Sequence, residues 1–190
     1  MIGRSPIGWA LQPLKKYATF SGRAPRAEFW WFILFLMISY ILFWFAVVGA
    51  VSGMAASQTE PSLGIIGAIG VAGILMLLVW LALIIPSIAV QVRRLHDTNR
   101  SGWWIGGFYL IYLAYVVLIF SAMSSALAAG ADGSTDMAAA GPLMAGSGIL
   151  GLLMLVYGIV LLVFFCLPGT RGANSYGPDP YGADVSEVFA

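Results

Sequence analysis

Four apolar runs account for most of the chain: Phe29 to about Ser52, Gly64 to Val92, Trp103 to about Ala129, and Pro142 to Pro168. None shows the alternation of a half-buried strand or the one-sided stripe of a surface helix, and each is long enough to be a helix in lipid. At 1.5 Å per residue the first run gives roughly 34 Å, enough to cross a hydrocarbon core with some tilt. It is also longer than the apolar core of a cleaved signal, about 7–15 residues, so it is read as a retained span. Pro86 interrupts the second run, and the span is expected to end near it, with one or two further turns carrying Gln91, Arg93 and Arg94 into the interface. Gly64, Gly67, Gly70 and Gly73, with Ala68 and Ala72, give that helix a small face suited to close helix association. Tyr109, Tyr112 and Tyr115 recur every three residues along the third run, as belt or packing residues or as an interhelical contact.

The predicted fold is therefore all-α: a four-helix polytopic membrane bundle with a short N-terminal interfacial segment. Residues 1–28 form a basic leader, 29–170 the membrane domain and 171–190 an irregular tail rich in turn residues. Within the leader, Leu14 to Phe20 is expected to be the interfacial helix, with Lys15 and Lys16 near lipid phosphate. A disordered basic tail is the alternative. Polar loops are expected around 53–63, with Glu60, and 130–141, with Asp132 and Asp136; the C-terminus closes in an acidic stub with Asp184 and Glu187.

Composition agrees with lipid as the main solvent: 61% of residues are hydrophobic and 9% charged, where a soluble domain carries about 25% charge. The single cysteine, Cys166, excludes an internal disulfide and a multi-cysteine metal site. The placement of charge says more than its amount. All nine Lys and Arg residues lie in the leader, in the loop around 91–102, or at Arg171. Four spans put those three segments on one side, and the positive-inside rule makes that side cytoplasmic, with both termini in the cytoplasm.

The same threading gathers Arg23, Arg26, Glu28, Arg93, Arg94, His96, Asp97, Arg100 and Asn174 at one membrane face. Glu28 and Asp97 can each pair with an arginine fork. The segments FSGRAPRAEFWWF (20–32), RRLHDTNRSGWW (93–104) and PGTRGANSYGPDP (168–180) together resemble the three signatures of the YhaH-like proteins, small bacterial inner-membrane proteins grouped as a domain of unknown function. The resemblance covers almost the whole chain and implies a small helical inner-membrane protein with no established activity. Longer outer loops and extra Gly/Ala-rich sequence around 53–63 and 129–147 depart from that pattern.

Neighbouring helical residues point about 100° apart, so His96 and Asp97 do not form a catalytic dyad while helical. No serine elbow, second histidine, cysteine pair or phosphate-binding glycine motif is present. The sequence therefore predicts a protein that is not an enzyme, without cofactor, metal site or nucleic-acid partner. A small oligomeric channel or transporter is the alternative, against which stand runs free of ionisable residues. The favoured expectation is a binding or scaffold protein whose basic cytoplasmic face grips an anionic lipid headgroup or a partner segment. A polar network that only locks the helix ends competes with it. A homodimer through the small faces is compatible with either.

Overall fold

The computed structural model describes residues 5–56, 63–131 and 140–182. The expectations for Arg4, for Glu60, Asp132 and Asp136 in the outer loops, and for Asp184 and Glu187 in the stub lie outside the described residues. Five helices follow in order: α1 (Pro6–Lys15), α2 (Arg26–Ala56), α3 (Leu63–Asp97), α4 (Trp103–Ala131) and α5 (Ala140–Cys166). The last four are long and apolar enough to cross a membrane. No strand occurs among the described residues. The chain forms two compact units, one of Met1–Asn99 with Gly169–Ala190 and one of Arg100–Pro168.

In the first unit the leader helix is Pro6–Lys15, not Leu14 to Phe20; of the expected segment only Leu14 and Lys15 are helical. The cause is a start signal at Ser5-Pro6: the Ser5 Oγ accepts the Gly8 N–H at 3.1 Å, and Pro6 occupies the first turn, where no N–H is needed. Pro13 does not break the helix but lies in its last turns, and Lys16 leaves helical geometry just beyond. Trp9, Gln12 and Pro13, spaced three and four apart, are buried with Ala10, and α1 packs chiefly on α2.

Burial in this unit is concentrated at one end. Phe29 and Phe32 of α2 and Pro86, Ala89, Val90 and Leu95 of α3 are buried with Trp9 and Ala24. Farther along the same helices, Met37 to Phe45 and Val71 to Leu81 supply a long series of exposed apolar side chains, as a lipid-facing surface requires. α2 has 31 residues and α3 has 35, about 46 and 52 Å, against a hydrocarbon core of about 30 Å. Each helix is thus long enough to span and still extend into a packed end.

α3 runs through Pro86 to Asp97, so the turns expected beyond the proline carry Gln91, Arg93 and Arg94 as part of one helix. The change at Pro86 is from exposed to buried side chains. Proline lacks the N–H that would bond to the carbonyl four residues earlier, here Ala82. The Tyr17 hydroxyl donates to that carbonyl at 2.6 Å, and the Ser87 hydroxyl donates to Leu83 O at 2.6 Å. A freed backbone acceptor in a spanning helix is costly unless met in this way. A Cβ placed on Gly70 or Gly73 would meet nothing within 4 Å.

The second unit is the α4–α5 hairpin, in which aromatic rings seat against glycines. Tyr115 lies over Gly151 and Phe108 over Gly158, each within 4 Å of where a Cβ would stand. Tyr157 donates to the Trp104 carbonyl at 2.9 Å, and Trp104 meets Phe164 edge-on at 5.2 Å. Small residues opposite large rings let the two helices approach closely, with the Tyr157 hydroxyl adding one polar contact. The expected tyrosine contact is thus made by Tyr115, while Tyr112 is exposed.

Tyr17→Phe is expected to lower the unfolding free energy by about 1–2 kcal/mol through the deserted carbonyl. In a Pro86→Ala background, where a backbone N–H can return, the same substitution should cost much less. A double-mutant cycle in detergent, read by thermal unfolding, measures that coupling.

Candidate functional site

Helix α3 ends in the sequence RRLHDTN. Asn99 adopts a left-handed conformation (φ 57°), and Thr98 and Asn99 donate back to the carbonyls of Leu95 and His96. An asparagine tolerates this conformation better than most residues, so it stops the helix sharply. Ser101 then accepts the Trp103 N–H at 3.3 Å and starts α4. The last turns of α3 therefore present Arg93, Arg94, His96 and Asp97 in different directions around one helix end, where cationic side chains also suit the helix dipole.

Asp97 is the centre of the site. Its Oδ1 accepts from Arg23 Nε at 3.0 Å and faces Arg23 Nη2 at 3.0 Å; its Oδ2 accepts from Arg94. Its backbone carbonyl accepts the Thr170 N–H at 2.9 Å and the Thr170 hydroxyl at 3.1 Å. The rest of the Arg23 guanidinium donates into the tail, to Thr170 O at 2.5 Å and Gly172 O at 2.6 Å. One arginine thus ties the leader to α3 and to the tail. A parallel pair joins α2 to α3: Arg93 Nη2 lies 3.0 Å from Glu28 Oε1, and the Ala24 N–H donates to Arg93 O at 3.0 Å.

His96 takes no part in a dyad with Asp97. Its Nδ1 lies 3.2 Å from the Gly22 carbonyl, and its ring stacks on Tyr176 at 3.9 Å, nearly parallel at 6°. Asn174 donates to His96 O at 2.9 Å and to the Thr170 hydroxyl at 2.8 Å, and its own Oδ1 accepts the Tyr176 N–H. The tail thereby closes a tight turn, bridged between Asn174 and Gly177, whose aromatic ring covers the imidazole. Farther on, the N–H groups of Tyr181 and Gly172 donate to Asp179 and hold its carboxyl below the ordinary range.

Seven of the nine expected residues thus meet in one connected end: Arg23, Glu28, Arg93, Arg94, His96, Asp97 and Asn174. Arg26 is exposed on the first turn of α2, close enough for its charge to act on Arg94. Arg100 belongs to the other unit, where its guanidinium lies 4.1 Å from the Phe164 ring centroid. Thr170, Tyr176 and Gly169 were missed. Their only sequence signal was their place in the PGTRGANSYGPDP segment, since nothing in a polar turn announces its partner 73 residues away.

The burial is nearly complete: Arg94 and Glu28 are 0% and Arg93 1% exposed. Guanidiniums so enclosed and paired cannot turn outward to a headgroup without abandoning buried carboxylates. Among the described residues no group of His, Cys, Asp or Glu is arranged to hold a metal ion. The arrangement is suited to joining chain segments.

Gly169 is where this joint leaves no room, because a Cβ there would collide with the Asp97 carboxylate. Gly169→Ala should lower stability by about 3 kcal/mol or more, as expected for disrupting a buried ion pair. Gly70→Ala, placed in open space in a helix, should be neutral or mildly stabilising; thermal unfolding of both variants makes the comparison. The Asp179 contribution has the opposite sign to acid: it is present above the ordinary carboxyl value near 4 and lost as pH falls through the lower folded value. Limited proteolysis of the tail should accelerate across that acid range.

A family model described as "Protein of unknown function (DUF805)" matches residues 17–178. The chain is 33% identical over 174 residues to inner membrane protein YhaH of Escherichia coli strain K12, covering 92% of this chain and 97% of that one. It is 30% identical over 172 residues to inner membrane protein YhaI of the same strain, covering 90% and 94%. No solved structure matches. The matched region takes in the leader from Tyr17, all four apolar helices and the tail turn, and the chain belongs to the DUF805 family of inner-membrane proteins.

Proposed function

We propose that this inner-membrane protein is a non-enzymatic scaffold, in which a buried polar lock fixes leader, helix ends and tail into one preformed cytoplasmic platform. The observation that carries the reading is the burial of Arg93 and Arg94 in ion pairs with Glu28 and Asp97. Those arginines are used up internally, which favours a locking role over direct capture of a ligand by the same side chains. What the platform offers outward is different: Lys15, Arg26 and Arg171 are exposed, a basic surface suited to an anionic leaflet or an acidic partner segment.

The cytoplasmic assignment rests on charge. The leader, the end of α3 and the tail carry eight of the nine basic residues. The leader and tail both bind Asp97, which supports placing these segments on one side of the membrane. The positive-inside rule then assigns that side. Single-His chemistry and the separation of His96 from Asp97 support a non-catalytic role.

Arg94→Gln separates the two roles for the buried cluster. Its removal should lower stability by about 3–5 kcal/mol, because Asp97 keeps only one of its two arginines. Retention of anionic lipid in detergent should remain at the wild-type level. Loss of lipid with unchanged thermal stability would assign the cluster to ligand binding. Reporter fusions at both ends should read cytoplasmic, and a periplasmic signal from either would overturn the platform's placement.

A further inference from the structure

The exposed cation nearest the packed end stands at the mouth of a groove. Arg26, Ala27, Trp30, Trp31 and Leu34 line an open depression of about 340 Å³ on α2. A second, apolar groove of about 180 Å³ lies between α1 and α2, and shares Trp31 and Leu34 with the first. It continues to Ile7 on one wall and Ile38 on the other. Neither is part of the buried lock.

We propose that this surface seats one anionic phospholipid, its phosphate on the Arg26 guanidinium and an acyl chain lying along Trp31, Leu34 and Ile38. Three observations carry the assignment. The first is charge: Arg26, Lys15 and Arg171 are exposed, Glu28 and Asp97 are buried in ion pairs, and Asp179 is the accessible carboxylate of the tail, so cations outnumber accessible acids among the described residues of this end. A guanidinium also fits a phosphate with two parallel hydrogen bonds.

The second is length. Arg26 and Ile38 are separated along the helix by about 18 Å. One leaflet of a bilayer has a hydrocarbon thickness of about 15 Å, with its headgroups beyond. The groove therefore runs from a cationic end to an apolar end over the height of one lipid molecule. The third is continuity. Trp30 and Trp31, each 38% exposed, sit between the charge and the apolar wall, and Leu34, 42% exposed, leads into the series of lipid-facing side chains beyond Met37. Indoles at such a boundary mark the level of the headgroups. An extended peptide would need polar backbone partners in the groove; a phospholipid needs only the charge and the grease.

The assignment rests on the reading that this end of the unit faces the membrane surface, and adds which residues meet the lipid. The test uses the full-length protein extracted from bilayers of phosphatidylethanolamine and phosphatidylglycerol, with bound lipid counted by native mass spectrometry. The wild type should retain phosphatidylglycerol in preference. Arg26→Gln should reduce that retention roughly tenfold, the scale of one charge-assisted contact. Leu34→Trp should reduce it by filling the groove with the charge intact. Both variants should unfold at the wild-type temperature, which distinguishes a failed lipid site from a failed lock, since only the latter is read by Arg94→Gln.

Equal retention of the two lipids by the wild type would overturn the proposal. So would undiminished phosphatidylglycerol on both variants, or its displacement by millimolar inorganic phosphate, which would make this a site for a free anion. A two-chain mass that reverts to one chain in Leu34→Trp would give the groove to a second copy and overturn it as well.

Discussion

The carboxylate of Asp97 is the constraint on which the first unit depends. It takes one arginine from the leader and one from its own helix on separate oxygens, while its backbone carbonyl holds the tail. Three segments that are far apart in sequence thus share one anchor. In water such pairs contribute little, because solvent screens them and ordering long side chains costs entropy. Here burial removes the solvent, so breaking any one contact strands charge in a poor dielectric. The result is a joint with specific geometry at the end of helices whose remaining surface is nonspecific grease.

That division of labour explains the shape of the burial. Apolar helices gain no hydrophobic stabilisation by meeting each other in lipid, since the tails are as apolar as leucine. α2 and α3 accordingly leave most of their length exposed and concentrate their contacts near Phe29, Phe32, Ala89 and Val90. The α4–α5 hairpin uses another solution, rings set against glycines. Polar specificity at one end and close backbone approach in the other unit are two routes to the same end, a fixed partner without a hydrophobic driving force.

The four long apolar helices were legible because lipid imposes length and composition directly on the sequence. Seven of the nine cluster residues were also legible, since polar groups beside apolar runs are few and threading groups them. Other features were not. Helix α1 begins at Ser5-Pro6, a local capping signal outweighed in the sequence reading by the apolar spacing of Leu14 to Phe20. The donor that meets the Ala82 carbonyl freed by Pro86 comes from Tyr17, 65 residues away. Each of these outcomes was decided by a backbone detail or a distant partner, which periodicity does not report.

The tail contact has a consequence for how the protein is made. Thr170 supplies a bond to Asp97 from beyond α5, so the anchor is incomplete until the ribosome has passed all four long apolar helices. Every span has been translated before then, with N-terminal segments emerging first. Assembly is therefore sequential: greasy segments partition early, and the closing stitch comes from residues synthesised after α5. A nascent polypeptide cut short after α5 would possess all its membrane crossings and still lack the clasp that joins its beginning to its end.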